Sequence, residues 1–248
     1  MFPPEFHALQ TVFADLLHRR KLHSAAQIVV RRHGQVLVNH AEGRGAQTPV
    51  IRANTPFLCF SISKAFTGLC IHKLIEEGRV ELDAPVARYW PEFGCKGKEN
   101  ATIRHVFLHQ AGIPAPGLNK QVFTWPFWPL VTRNVAATRA VYAPGTHTAY
   151  HLVNYGFIFG EIIRRVTGMQ VEEYLHRAFL QPMGLTDTWM RLPAKMLGST
   201  PRLETRYPVM QTARRLFSIP SIRTARLPAA SLHSSACDLA AVFQMLLE

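Results

Sequence analysis

Two short β-rich runs, AQIVVRR (Ala26 to Arg32) and QVLVNHA (Gln35 to Ala41), are separated only by His33 and Gly34. A two-residue link between such runs is a hairpin turn, so a sheet begins here. A hairpin alone is marginal in water and leaves its edges open to pairing, and the rest of the chain has to be reconciled with that.

What surrounds the hairpin reads as helical. From about Glu5 to Arg20, the residues Phe6, Leu9, Phe13, Leu16 and Leu17 recur at spacings of three and four, which predicts one apolar helix face. From Ser61 to about Glu77 the same pattern carries Phe66, Leu69, Cys70 and Leu74, and Gly78 stands at the C-terminal stop. Two shorter helices are expected next, one started by Asp83 with Pro85 in its first turn and one started by Thr102 and running to Gly112. The stretch GLNKQVFTWPFWPL, broken by Pro126 and Pro129, predicts an irregular segment at the surface or lining a cleft. Beyond a turn at APGT, Leu152 to Gly168 predicts a buried helix ended by glycine, and Val171 to Leu180 a further one. Residues from about 192 to 230 read as a long excursion. Ser234 or Ser235 then caps a last helix expected to bury Leu239, Val242, Phe243 and Leu246.

Composition narrows the class. At 248 residues, 48% of them apolar, the chain can fill one sizeable core or two lobes sharing a cleft. No apolar run reaches the roughly 18 residues needed to span a bilayer, and MFPPEFHALQ lacks a secretory pattern, so a cytoplasmic location is expected. Cys59, Cys70, Cys95 and Cys237 are scattered without a C-x-x-C pair and read as free thiols. The net charge of +12 invites nucleic acid or an anionic membrane as partner. Its basic residues, however, are dispersed as pairs such as Arg19 with Arg20 and Arg214 with Arg215, and no nucleic-acid-binding pattern accompanies them. A solvated basic surface, with no nucleic-acid partner, is the expectation.

The chemistry concentrates at FSISKAFTG, where Ser61 and Lys64 form S-x-x-K. Residues three apart on a helix share a face, with side chains roughly 5 to 6 Å apart. A serine hydroxyl needs a neighbouring base, and lysine serves only once its proton is largely lost. Moving Lys64 from about 10.4 to near 7 takes about 4 kcal/mol, within reach of burial at the positive end of a helix. Ser63 lies about 200° around the helix from Ser61 and cannot share that face with Lys64. The plainer alternative is a helix-capping serine beside a solvated lysine.

The order of blocks decides between them. A hairpin is followed by TPFLCFSISKAFTGLCIHKLIEEGRVELDAPVARYWPEF, then TIRHVFLHQAGIP, PGTHTAYHLVNYGFIFGEIIRRVTG, LQPMGLTDT and PAASLHSSACDLAAVFQMLL. From about residue 20 onward this resembles the serine beta-lactamase-like family of class C beta-lactamases, family VIII esterases and penicillin-binding proteins. The resemblance implies an α+β, beta-lactamase/transpeptidase-like fold: an antiparallel sheet flanked by helices, plus an all-helical lobe. It implies one domain over residues 1–248, with its sheet part in about 1–60 and its helical part in about 61–248. It also implies an acylated serine at Ser61, a lysine at Lys64 and a proton-relaying tyrosine at Tyr150, with no cofactor.

Two departures from the family pattern shape the functional expectation. The family's Y-x-N becomes Tyr150 followed two residues on by Leu152, and the nearest asparagine, Asn154, is carried only as a weak candidate for substrate binding. The third motif, a Lys-Thr-Gly or His-x-Gly-like strand, is not found before Glu248, so C-terminal sheet strands are expected to be missing. The leading expectation is hydrolysis of small esters or related acyl compounds through a Ser61 acyl-enzyme. The alternatives are a truncated, catalytically impaired homologue that binds a partner or a second copy through the unfinished sheet edge, and beta-lactamase or D-amino-acid peptidase-type amide hydrolysis. The pairs His105 with His109 and His147 with His151 lack H-E-x-x-H and a third ligand, so no metal is expected. Phe123 to Trp128 is open to three readings: an acyl-pocket lining, a membrane anchor, or ordinary packing.

Overall fold

The computed structural model describes residues 2–44, 50–114 and 122–248. The hairpin forms as β1 (Ala25–Arg32) and β2 (Gln35–Gly43), paired antiparallel with Arg32 opposite Gln35. His33 and Gly34 both take positive φ, 48° and 75°, which matches the right-handed twist of the strands through a type I′ turn. Helix α1 (His7–Ala14), extended by a wider π-type turn to Arg19, buries Phe13 and Leu17 against Val38 and Phe2 and so covers the hairpin. Among the described residues β1 and β2 make a two-stranded sheet of their own.

A second, larger core gathers around two helices. Helix α2 (Ile62–Glu76) contributes Phe66, Cys70, Ile71 and Leu74, and ends where Gly78 adopts φ 68°. After α3 (Val86–Tyr89), α4 (Ile103–Phe107) and α5 (Trp128–Ala137) comes α6 (Asn154–Thr167), buried at every position from Asn154 to Ile163 and closed by Gly168 in the left-handed region. A helix buried on all sides belongs at the centre of a core, and each fully enclosed Phe or Ile contributes about 1.5 to 3 kcal/mol. Helix α7 (Val171–Leu175), continued by a π-type turn to Leu180, packs Tyr174 and Leu175 against it.

Three two-residue strands, β3 (Phe57–Leu58), β4 (Thr188–Trp189) and β5 (His233–Ser234), form a small antiparallel sheet with β5 in the middle. It joins chain segments far apart in sequence immediately ahead of Ser61. Short helices α8 (Gln211–Leu216) and α9 (Pro220–Arg223) occupy the expected excursion. Ser235 caps α10 (Ala236–Met245) by accepting the Asp238 N–H. This helix packs on β1, where Gln27 Oε1 accepts the Ala236 N–H at 2.9 Å, so the end of the nominally helical part lies against the sheet.

Several expectations need correction. The aromatic stretch was expected to be irregular, yet Trp128 to Ala137 is helical, because Pro129 falls in the first turn where its missing N–H costs nothing. Trp125 and Trp128 are core residues while Phe123 and Phe127 are exposed, and residues 117–121 of that stretch lie outside the described residues. Pro85 is the N-cap of α3 rather than a first-turn residue, and Asp83 instead holds Arg104 through a paired ion contact at 2.6 and 2.8 Å. In α10 only Val242 of the four expected residues is buried: Leu239 is partly covered, and Phe243 and Leu246 are 43% and 51% exposed.

His233 makes the small sheet sensitive to acid. Its Nδ1–H is bonded to the Ser231 carbonyl at 2.9 Å, and its Nε2 is buried without a partner among the described residues. Burial holds this imidazole down at about 4, against an ordinary 6.5. Between those values the unfolded chain binds more protons than the folded one, so stability falls as pH drops from 6.5 toward 4. Thermal melts across this range are expected to show that decline, with a shallower slope in His233→Gln.

Candidate active site

Ser61 stands at the N-cap of α2, preceded by Phe60 at φ 43°, a strained conformation for a bulky residue. The turn is held from behind by Ser63, whose hydroxyl donates to the Phe60 carbonyl and accepts the Leu232 N–H at 2.9 Å. Ser63 thus points away from Lys64, as the helical period requires. The segment from Pro228 to Leu232 is fastened along α2: Thr67 Oγ1 donates to the Pro228 carbonyl at 2.6 Å, and Cys59 N–H to the Leu232 carbonyl at 2.8 Å. The same segment passes so close to α6 that a Cβ on Gly156 would lie 2.3 Å from the Ala229 nitrogen.

Lys64 lies in the cleft so formed, 8% exposed. Its Nζ donates to the Leu152 carbonyl at 2.9 Å and the Ala229 carbonyl at 3.1 Å, and lies 3.2 Å from Ser61 Oγ. Two carbonyls accept two protons, so on a neutral amine the remaining lone pair faces the serine. Burial lowers Lys64 below its ordinary 10.5, with Tyr150 partly opposing the shift. The contrast is Lys98, also buried, whose three hydrogen bonds all go to carbonyls, of Cys95, Ala136 and Thr138. Lys98 ties loops together; Lys64 spends its third contact on a hydroxyl.

Tyr150 approaches from the other side, its Oη donating to Ser61 Oγ at 2.8 Å. It is 50% exposed, so the three groups meet at a solvent-accessible point. Partial burial pushes its phenol up, but hydrogen bonding to Lys64 and Ser61 and the nearby lysine charge outweigh this and leave it below 10. Lys64 Nζ is 4.8 Å from the Tyr150 ring centroid.

The structure therefore brings Ser61, Lys64 and Tyr150 together and keeps Asn154 apart. Asn154 is fully buried, with Nδ2 donating to the Ile113 carbonyl at 3.0 Å and Oδ1 without a partner among the described residues, so it lies apart from the three. It begins a buried helix, and its side chain props a loop. The histidine pairs also separate by role. His105 completes the Thr102 capping box of α4, while His109 and His151, one from each pair, lie beside one another next to Tyr150. Among the described residues no group of three or more His, Cys, Asp or Glu is arranged to hold a metal. Sequence reasoning missed the two carbonyls on Lys64 and the placing of His109 beside Tyr150; carbonyl ligands leave no residue-type signal.

A family model described as Beta-lactamase matches residues 9–248. The Esterase/beta-lactamase LipL of Mycobacterium tuberculosis (strain ATCC 25618 / H37Rv) is 30% identical over 188 residues, covering 73% of this chain and 42% of that protein. Esterase EstB of Burkholderia gladioli is 28% identical over 202 residues, 72% of this chain and 50% of its own. The chain thus spans half or less of the length of these curated relatives. Among solved structures, a family VIII carboxylesterase superposes with a TM-score of 0.84 at 26% identity, over 95% of this chain and 67% of its own. A novel penicillin-binding protein homologue from Caulobacter crescentus gives 0.86 at 26% identity, over 99% and 70%. No described helix is long and apolar enough to cross a membrane.

Proposed function

Because the chain belongs to the beta-lactamase family and has the α+β beta-lactamase/transpeptidase-like fold, we propose that it is a serine hydrolase that cleaves small esters through an acyl-enzyme on Ser61. The observation that carries this reading is the convergence of Lys64 Nζ and Tyr150 Oη on Ser61 Oγ, at 3.2 and 2.8 Å. Ser61 Oγ attacks the ester carbonyl as its proton passes to neutral Lys64, and the N-terminal end of α2 favours the negative charge that develops nearby. The carbon–oxygen bond to the alcohol then breaks, and the proton returns through Tyr150 to the leaving alkoxide. Water attacks the acyl-serine in the second half, giving the acid and restoring the hydroxyl.

Esters are favoured over amides by the departure at Tyr150-x-Leu152. The residue that would carry an amide-binding asparagine presents its backbone carbonyl to Lys64 instead, and Asn154 is buried. The names of the two curated relatives, Esterase/beta-lactamase LipL and Esterase EstB, both include an esterase, and the first also includes a beta-lactamase.

The test is intact mass after exposure to a fluorophosphonate, a p-nitrophenyl short-chain ester or a cephalosporin. One covalent adduct per chain is expected from the fluorophosphonate and transiently from the ester, with slower or no reaction from the cephalosporin, and none from any reagent with Ser61→Ala. A folded wild-type chain that takes no adduct from any of them overturns the reading.

A further inference from the structure

Tyr150 has to hold its hydroxyl at hydrogen-bond distance from Ser61, yet it lies in an irregular stretch ahead of α6 with no helix or strand ladder to fix it. Both of its neighbours are held instead by one residue. Ala149 N–H donates to the His109 carbonyl at 3.0 Å, and His151 N–H donates to His109 Nδ1 at 3.1 Å. The His109 ring itself packs against the Tyr150 ring, centroids 4.7 Å apart, with the Tyr155 ring 5.3 Å away.

His109 is an unusual residue for its backbone. It follows α4 with φ 58°, a left-handed conformation that a side-chain-bearing residue keeps only when its surroundings over-determine it. Tyr142 Oη adds a longer bond to the same carbonyl at 3.4 Å. Accepting the His151 N–H requires an unprotonated Nδ1, so the ring proton sits on Nε2. The groups facing the ring support that state. Burial, then His151 and the Lys64 charge, hold His109 at about 4, while Tyr150, Tyr155 and Tyr142 add no formal charge unless ionised. A proton on Nδ1 would set two donors against each other at His151.

We propose that neutral His109 is the positioning residue for Tyr150, clamping the backbone on both sides of the tyrosine and thereby setting the approach of its hydroxyl to Ser61. The inference rests on the reading of Tyr150 as proton relay. His109 itself touches neither serine nor lysine through a hydrogen bond; it acts through the tyrosine.

Three variants of the full chain test it. Asparagine tolerates the left-handed backbone and can offer an acceptor near the Nδ1 position; glutamine places its acceptor one bond too far, and alanine has none. His109→Ala is expected to lower kcat on p-nitrophenyl acetate by about 10- to 100-fold with KM within about twofold, the signature of a misplaced group rather than lost binding. His109→Asn is expected to recover most of that loss and His109→Gln little. A second readout is the phenolate absorbance titration of Tyr150, isolated by subtracting Tyr150→Phe, which is expected to move up in the alanine variant and return in the asparagine variant.

If His109→Ala matches wild type in both kcat and titration, or if asparagine does no better than glutamine, the clamp is overturned. Should the alanine variant not fold, the asparagine–glutamine comparison decides. Wild-type chain without Ser61-dependent turnover, but with a lowered Tyr150 titration that rises in the variants, would sink the hydrolase reading and leave the clamp standing.

Discussion

Replacing Lys64 with methionine is expected to lower the rate of Ser61 acylation about 10²- to 10⁴-fold, the range lost when a general base is removed. Methionine matches the length of the lysine stem and suits a site that is 8% exposed, so the chain should still fold. The Leu152 and Ala229 carbonyls lose their donor, at about 1 to 3 kcal/mol for each group left unsatisfied, offset in part by removing a buried amine. The discriminating partner is Lys64→Arg. Arginine keeps a positive charge and donors for the two carbonyls but cannot give up its proton, so it should be nearly as slow as methionine. If arginine retained most of the rate, Lys64 would be acting by charge and not as a base. In wild type the acylation rate should rise with pH along a limb below the ordinary lysine range, because burial lowers Lys64. That limb should vanish in both variants; fluorophosphonate labelling followed by intact mass measures all three chains.

The second large effect is on stability. Gly156→Ala adds one methyl group, but it would lie 2.3 Å from the Ala229 nitrogen and 2.7 Å from the Pro228 carbonyl carbon, and both obstacles are backbone. Backbone cannot rotate aside as a side chain can, so α6 or the Pro228 to Leu232 segment has to move. Overpacking of this kind costs about 3 kcal/mol, which in a chain of this size lowers Tm by roughly 6 to 12 °C. The same shift displaces the Ala229 carbonyl from Lys64, so activity should fall further than the unfolded fraction explains. Gly168→Ala is the contrast: nothing lies within 4 Å of its Cβ, and its cost is confined to the positive φ. Paired melts and p-nitrophenyl acetate assays separate the two, and a Gly156→Ala chain as stable as wild type would contradict the close approach.

Much of this was legible in the sequence because it depended on short-range rules. His33-Gly34 between two β-rich runs dictates a tight turn, and a serine three residues before a lysine on a helix dictates a shared face. The central burial of α6 follows from Phe157, Ile158, Phe159, Ile162 and Ile163, with buried Glu161 paired to Arg164 and Arg165. Long-range pairing was not legible. The strands of the small sheet are two residues each, too short for any alternation to register, and β5 pairs with β3 across more than half the chain. Prolines and aromatics hid α5, since Pro129 reads as a breaker until its place in the first turn is known. The exposure of Phe243 and Leu246 shows that helical spacing gives the face but not whether anything covers it. At the site, spacing singled out Ser61 and Lys64 and the family resemblance added Tyr150, whereas the groups packed around them are mostly backbone carbonyls and one histidine that accepts through its ring nitrogen.

The fastening of residues 228–232 along α2 also sets an order of assembly. Ser61 and Lys64 are neighbours as soon as one helix forms, an event of roughly a microsecond. The pocket that strips water from the lysine, however, is closed by Ala229 and Pro228, more than 160 positions further along the chain. Until that distant segment has docked, the lysine stays hydrated and nothing holds it below its ordinary range. On the proposed reading, reactivity appears only with this long-range closure, and adduct formation at Ser61 reports the docking of residues 228–232 on α2.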